Sequence, residues 1–241
     1  MLTIIDETSE FVICNKPPGI AIGAEPRHRH QNPNVPSLLQ TIREQLDDPQ
    51  LLPVHRLDKV TSGVIIIGKG TAATAKLSMI FQKRQVSKYY LAILQKKPKK
   101  KQGTIKGDLI KSRDGGWRLS QTKSNPSETQ FFSYGIGDGR RLAIVKPLTG
   151  KTHQIRVAMK AIGAPILGDQ QYGGVEADRV YLHAWQLIFT LNNMRYHYRC
   201  DPDCGRVFGE PTIQLLIQSH AAPDSLNWPC KNSEEASDHN R

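Results

Sequence analysis

The pattern of apolar and polar positions predicts strands and helices in turn along the first half of the chain. Short apolar or alternating runs, typical of strands, occupy residues 2–5, 11–16, 64–67 and 87–94. Helices are predicted over residues 37–46 and 71–84, where polar residues suited to capping precede mixed apolar and polar sequence. Ser37 is expected to cap the first helix, with Gln40 three residues later as in a capping box.

The second half of the chain predicts a series of strands joined by tight turns. Strands are expected near residues 104–110, 117–120, 128–133 and 141–145, with Gly and Asp turns between them. Such short connections favour an antiparallel meander. A helix capped by Thr152 and ending at Gly163, strands in residues 181–191 and 195–200, and a helix from Pro211 complete the pattern. The predicted fold class is α+β, with helices flanking a mixed, largely antiparallel sheet.

Two stretches lack a regular pattern. Residues 17–36, rich in Pro and His, are expected to form a long loop. Residues 221–241 are polar and are expected to be disordered. We therefore expect one domain over residues 1–220, followed by a tail over residues 221–241.

Charge narrows the class of partner. The 241 residues include 33 Lys and Arg against 22 Asp and Glu, for a net charge of +11 at pH 7. RNA, DNA and an anionic membrane would each attract such a chain. No stretch approaches the ~18 apolar residues of a spanning helix and no secretory leader is evident, so we expect a cytoplasmic protein without a membrane partner. Its four cysteines are too few for a disulfide framework in a chain of this length.

Charged residues stand where a buried strand does not need them. In "HRLDKVTSG", residues 55–63, the final Thr-Ser-Gly supplies the turn that leads into the apolar run of residues 64–67. His55, Arg56 and Asp58 have no such local explanation. They are therefore candidates for chemistry at the mouth of the strand.

Arg156 raises a related question, because it lies in the apolar helical stretch "IRVAM". An unpaired buried charge costs several kcal/mol, so this arginine should either reach water at an edge or meet a carboxylate. Arginine forms planar, two-pronged pairs with carboxylates, and Asp58 is a candidate partner. The alternative is that Asp58 caps a turn and Arg156 is solvated.

Several motifs resemble those of the RluA family of RNA pseudouridine synthases. "HRLDKVTSG" resembles the family signature H-R-L-D followed two residues later by T-S-G. "NKPPGI", "KYYLA", "GKTHQIRVAMKAIGAPILGDQQYGG" and "LHAWQLIF" resemble further family motifs in the expected order, over roughly residues 11–189. Two departures are visible: Lys151 replaces an arginine, and Ala158 replaces a histidine, which we expect to alter a local substrate contact.

The resemblance implies the pseudouridine synthase fold and the conversion of uridine in RNA to pseudouridine. This reaction involves no net redox change or hydrolysis, so no cofactor or metal is expected. It needs one ionised carboxylate held dry against the nucleoside. By resemblance that group is Asp58, with Arg156 orienting it and keeping it charged. Attack on the sugar, addition to the base and removal of the C2′ proton all stay open, and the resemblance favours the last.

The remaining pocket residues are predicted from the resemblance for Tyr90 and from position and side-chain chemistry for Arg56 and His55. Tyr90 is expected to stack on uracil and to shuttle a proton through its hydroxyl, whereas a core position is expected for Tyr89. Arg56 is expected to fill the place of the extruded uridine. His55 and Thr61 complete the predicted substrate-binding set, with support of the loop as the alternative role of His55.

The expected partner is RNA, specifically a uridine in a stem-loop of tRNA or rRNA, bound by a monomer. The lysines at positions 96, 97, 99, 100 and 101 either contact RNA phosphates or form a solvated hairpin tip.

A non-catalytic RNA-binding or RNA-chaperone protein on the same scaffold is the alternative, but binding alone requires no catalytic carboxylate. A nuclease would need a cluster of metal-binding carboxylates or histidines. His197, Cys200 and Cys204 are spaced unusually for zinc, so no metal site is predicted.

Overall fold

The structure, a computed structural model, describes residues 1–23, 36–113 and 115–229. Its strands, in chain order, are β1 (Thr3–Glu7), β2 (Phe11–Lys16), β3 (Leu51–Pro53), β4 (Ser62–Lys69), β5 (Ser87–Leu94), β6 (Gln102–Lys111), β7 (Trp117–Ser120), β8 (Pro126–Gly135), β9 (Arg141–Pro147), β10 (Leu182–Leu191) and β11 (Met194–Arg199). Its helices are α1 (Leu38–Leu46), α2 (Gly70–Gln82), α3 (Gln154–Ala161) and α4 (Pro211–Ser219).

These strands form one mixed sheet. Its order is β1-β2-β4-β10-β5-β9-β8-β6-β7, with β3 also paired to β4 and β11 to β10. β4 and β10 run parallel, and the other pairings among the described residues are antiparallel. The predicted α+β class, with a mixed, largely antiparallel sheet, is confirmed. β10 lies between β4 and β5 and so joins the N-terminal strands to the meander.

The apolar run in β4 is explained by burial on both faces of the sheet. Ile65 and Ile67 face the larger hydrophobic cluster, whereas Val64 and Ile66 face a second cluster on the other side. Because successive side chains of a strand point to opposite faces, a strand covered on both sides is continuously apolar. Each fully buried side chain of this kind contributes about 1.5–3 kcal/mol.

Helix ends are predicted well where a local cap exists. Ser37 Oγ accepts the N–H of Gln40 at 3.2 Å, and α1 spans Leu38–Leu46 as expected. The predicted Thr152 cap is wrong, because α3 begins at Gln154 and His153 occupies the cap position. The turn before α3 is instead closed by the Gln154 side chain, whose Oε1 accepts from Thr149 and Lys151.

The expected disorder from residue 221 onwards does not hold for residues 221–229. The backbone carbonyl of Ala221 accepts from the Gln186 side chain at 2.8 Å, and the Trp228 ring packs edge-on against Phe132 at 4.9 Å. Aromatic burial therefore anchors this segment to the sheet. Residues 230–241 and most of the predicted loop, residues 24–35, lie outside the described residues. No helix in the described ranges is long and apolar enough to cross a membrane.

Candidate active site

The "HRLDKVTSG" loop is held where β4 and β10 meet. Gly63 has a φ of +109°, and a Cβ at this position would lie 2.1 Å from the carbonyl oxygen of Ala184. Only glycine allows so close an approach. The parallel pairing, with Ser62 opposite His183, therefore fixes the loop beside the middle of the sheet.

A buried hydrogen-bond chain supports the start of β4. Arg179 Nη2 donates to Ser62 Oγ at 2.6 Å, and Ser62 Oγ lies 2.7 Å from His183 Nδ1. Because the Cys200 carbonyl can only accept, His183 Nε2 donates to it at 2.8 Å, and Nδ1 of the neutral ring accepts from the Ser62 hydroxyl. Burial lowers the pKa of His183 to about 4, so the ring is neutral in this chain.

A cavity of about 480 Å³ opens beside the loop. Asp58 and Thr61 line it from the loop, Lys88 and Tyr90 from β5, and His153 from the turn before α3. The volume is in the usual range of small-ligand sites, about 300–1,000 Å³. The stretches singled out in the sequence therefore meet at one cavity.

Arg156, on α3, lies between two carboxylates. Its Nε and Nη2 donate to the two oxygens of Asp169 at 2.8 and 2.7 Å, whereas its Nη1 lies 3.7 Å from Asp58 Oδ2. The side chain of Arg156 is 5% exposed, so the alternative of a solvated arginine is wrong. The expected two-pronged contact with Asp58 is also wrong. Asp169 takes the planar fork, and its side chain is 1% exposed, so its buried charge requires a partner within the protein.

Two further groups fix the guanidinium. Gln171 Oε1 accepts from Arg156 Nη2 at 2.9 Å, and the guanidinium carbon lies 4.8 Å from the centre of the Tyr172 ring. Burial disfavours the charged form, but the hydrogen bonds and charge of Asp169, with the charge of Asp58, raise the pKa of Arg156. The cation is therefore permanent and rigidly oriented beside Asp58.

Tyr90 and Tyr89 lie on opposite faces of β5. Tyr90 lines the cavity and is 9% exposed. Burial, together with the charge of Asp58, raises the pKa of Tyr90, so its side chain is a neutral phenol. Tyr89 is 1% exposed and packs against Trp228 with ring centroids 5.9 Å apart, which confirms its expected core position.

The three residues expected to bind substrate all line the cavity, in different environments. Arg56 is exposed. Thr61 is buried, and its N–H donates to the carbonyl of Asp58 at 3.0 Å, which closes a tight turn. His55 stacks on Phe81 with ring centroids 4.4 Å apart, and burial lowers the pKa of His55 to about 3. The contacts of His55 are thus those of a neutral ring that supports the loop.

Comparison with known proteins gives the family. The model described as RNA pseudouridylate synthase matches residues 10–161. The chain belongs to this family. An uncharacterized RNA pseudouridine synthase of Haemophilus influenzae is 43% identical to this chain over 228 residues, covering 94% of this chain and 99% of the relative. The dual-specificity RNA pseudouridine synthase RluA of Escherichia coli K12 is 32% identical over 201 residues, covering 78% of this chain and 87% of the relative.

A solved structure extends the similarity to the fold. Human RNA Pseudouridylate Synthase Domain Containing 1 has a TM-score of 0.72 at 25% identity, covering 92% of this chain and 95% of that one. The resemblance to the RluA family drawn from the motifs is confirmed. The synthase is an isomerase that converts uridine in RNA to pseudouridine, and the non-catalytic alternative is not favoured.

Three residues of the site were not assigned roles from the sequence: Asp169, Tyr172 and His153. Tyr172 is 1% exposed, its hydroxyl accepts from the Trp117 N–H at 3.2 Å, and it lies 2.7 Å from His153 Nδ1. Burial lowers the pKa of His153, which favours a neutral ring beside Tyr172. Both Asp169 and Tyr172 belong to the "GDQQYGG" motif. A buried arginine needs a carboxylate partner, and this need is the sequence signal that could have pointed to Asp169.

Ala158 and His197 do not line the cavity. Ala158 is 3% exposed and packs within the larger hydrophobic cluster, and the expected change of a substrate contact at this position stays a prediction. No group of three or more His, Cys, Asp or Glu side chains in the described ranges is arranged to hold a metal ion. His197 Nε2 instead pairs with Gln186 Oε1 at 2.7 Å.

Proposed function

We propose that Asp58 is the carboxylate that acts on the target uridine. The observation that carries this proposal is its position: among the described residues that line the cavity, Asp58 contributes the one carboxylate. It is half-buried, and the cation of Arg156 lies 3.7 Å away. A carboxylate in such a partly dry site is suited to act on a bound nucleoside.

The isomerisation requires one such carboxylate. The C1′–N1 bond breaks, a C1′–C5 bond forms, and the proton lost from C5 is balanced by one gained at N1, so no oxidant or water is consumed. A carboxylate can attack C1′, add to the uracil ring, or remove the C2′ proton and later return it. The family resemblance favours the last route, through a glycal-like intermediate, with Asp58 as the general base.

Tyr90 and Arg156 complete the proposed catalytic set. As a neutral phenol in the cavity, Tyr90 can stack on uracil and pass a proton through its hydroxyl. Arg156 acts on Asp58 through its charge, while Asp169 fixes the plane of the guanidinium. Asp169 is therefore a positioning residue.

The target uridine must leave its stack to reach this cavity, at a cost of a few kcal/mol. Arg56 is exposed at the rim, where its flat cation can occupy the vacated place. His55 and Thr61 shape the loop beside it. Relatives are named for dual specificity and for the large ribosomal subunit. We propose a uridine in a stem-loop of tRNA or rRNA as the substrate, modified in the cytoplasm by a monomer whose catalytic domain spans residues 1–220 together with the packed segment 221–229.

Asp58→Asn tests the proposal, because it keeps the shape of the side chain and removes its charge. The variant is expected to bind RNA within a few-fold of wild type and to form no detectable pseudouridine. Pseudouridine is mapped in total RNA from cells that lack the gene and are complemented with wild type or variant. Asp138→Asn, which removes an equal charge from an exposed turn, is the control and restores modification. Normal modification by Asp58→Asn would refute the assignment.

A further inference from the structure

Lys88 lies in the cavity without a role in the chemistry described above. It is on β5, two residues before Tyr90, and both side chains line the cavity. Residues two apart on a strand share a face and lie about 6.6–6.8 Å apart. Lys88 therefore lies two residues from Tyr90, on the same face of β5 as the ring proposed to stack on uracil.

The ammonium of Lys88 has no hydrogen-bond or ion-pair partner in the part of the chain that the structure describes. The side chain is half-buried, and burial lowers the pKa of Lys88. Lysine is rarely kept in such a place without a partner, because partial burial removes water from the charge. The neighbouring ring of His55 is not a counter-ion, because it is neutral and carries no negative charge.

The cavity beside Lys88 offers the space for an anion, since Lys88 and Gly150 both line its volume of about 480 Å³. Gly150, in the turn before α3, lies next to the ammonium: a Cβ at position 150 would be in van der Waals contact with Lys88 Nζ, at 3.7 Å. Arg84 also lines the cavity, and its side chain makes no hydrogen bond or ion pair with the described residues. Lys88 and Arg84 are thus two cations of the cavity without a carboxylate partner, because the one carboxylate among the described lining residues, Asp58, is paired with Arg156.

We propose that Lys88 binds the backbone phosphate adjacent to the target uridine, and that Arg84 binds the next phosphate along the strand. This inference rests on the proposed placement of uridine against Asp58 and Tyr90. An ammonium is a compact point charge with three donors, which suits a phosphate that approaches along the cavity wall. The phosphate supplies the partner that Lys88 lacks and fixes the direction in which the strand enters.

The first test measures RNA binding by Lys88→Met, which keeps the apolar stem and removes the charge. The probe is a fluorescent 11-nucleotide RNA with one central uridine among adenosines, titrated by anisotropy at several salt concentrations. At low salt, loss of one charge-assisted hydrogen bond should weaken binding about tenfold. The slope of log affinity against log salt should become shallower by about 0.7.

Lys83→Met is the matched control. Lys83 is exposed at the end of α2 and borders a separate surface groove, so its loss changes the net charge equally without altering the cavity. It is expected to change affinity less than twofold, and Lys88→Arg is expected to retain most of the binding. Equal losses in Lys83→Met and Lys88→Met, or an unchanged salt slope in Lys88→Met, would overturn the proposal.

A second measurement identifies the phosphate. Probes with one uncharged methylphosphonate on the 5′ or the 3′ side of the uridine should bind wild type about tenfold more weakly at one of these positions. The methylphosphonate at that position should not weaken binding by Lys88→Met any further, because the variant already lacks the interaction. If the methylphosphonate weakens binding by Lys88→Met as much as binding by wild type at both positions, Lys88 binds neither phosphate. These assays measure binding alone, so they are independent of whether Asp58→Asn abolishes modification.

Discussion

Replacing Arg156 with lysine separates the charge of this residue from its geometry. Arginine uses Nε and Nη2 for Asp169 and presents Nη1 to Asp58 at 3.7 Å. A lysine has one ammonium and cannot occupy both places. Because the Asp169 side chain is 1% exposed, the ammonium is expected to stay with Asp169 and to leave Asp58 without its cation.

The size of the effect follows from the distances. With an effective dielectric of about 20, two unit charges 3.7 Å apart interact by about 4 kcal/mol, and by roughly half of that at about 7 Å. If Asp58 is the carboxylate that acts on uridine, as proposed, the loss of about 2 kcal/mol there corresponds to about a thirtyfold lower rate, within an outer range of 10- to 1000-fold. One of the two hydrogen bonds to Asp169 is also removed, which should lower the free energy of unfolding by about 1.5–3 kcal/mol.

The assay is single-turnover tritium release from [5-³H]uridine RNA at saturating enzyme, with urea unfolding measured on the same preparations. Arg199→Lys is the control. Arg199 forms a similar fork with Asp201, at 2.7 and 2.8 Å, and lies outside the cavity. This control should lose stability but keep its rate. Wild-type turnover in Arg156→Lys, or an equal loss of rate in Arg199→Lys, would refute a specific action of Arg156 on Asp58.

Two further predictions concern charge and pH. Lys99, Lys100 and Lys101 are exposed between β5 and β6. Replacing them with serine should make the slope of log RNA affinity against log salt shallower, by about 0.7 for each phosphate that is no longer bound. An unchanged slope would mean that the loop is solvated and does not contact RNA. Because burial lowers the pKa of His183 to about 4, the unfolded chain binds a proton that the native chain does not between about pH 6.5 and 4. The free energy of unfolding should therefore fall as pH decreases through this window, by on the order of 3 kcal/mol from this residue. Urea unfolding at pH 4.5 and pH 7 should show a smaller drop for His183→Gln than for wild type, and equal drops would contradict a neutral buried His183.

Local signals in the sequence predict the positions of helices and strands well, whereas contacts between residues distant in sequence cannot be predicted from such signals. Ser37 marks the start of α1 through a cap that involves its near neighbours. Asp58, Tyr90 and Arg156 do converge on one region, although their catalytic roles stay predictions. The partner of the Arg156 fork could not be chosen from periodicity, because Asp58 and Asp169 both lie in turns. The deciding difference is burial, which depends on how the turn after α3 packs.

The position of β10 has a consequence for the order in which the protein folds during synthesis. Before residue 182 is made, the native partners present are β2 and β3 for β4 and the meander strand β9 for β5, so the chain holds two separate sheets with open edges. Asp58 belongs to one of them and Tyr90 to the other. The late strand inserts between these edges through contacts that are distant in sequence, a slow kind of step. The cavity therefore assembles only after β10 has been synthesised and has paired with both β4 and β5. Until then, the nascent chain is not expected to modify RNA.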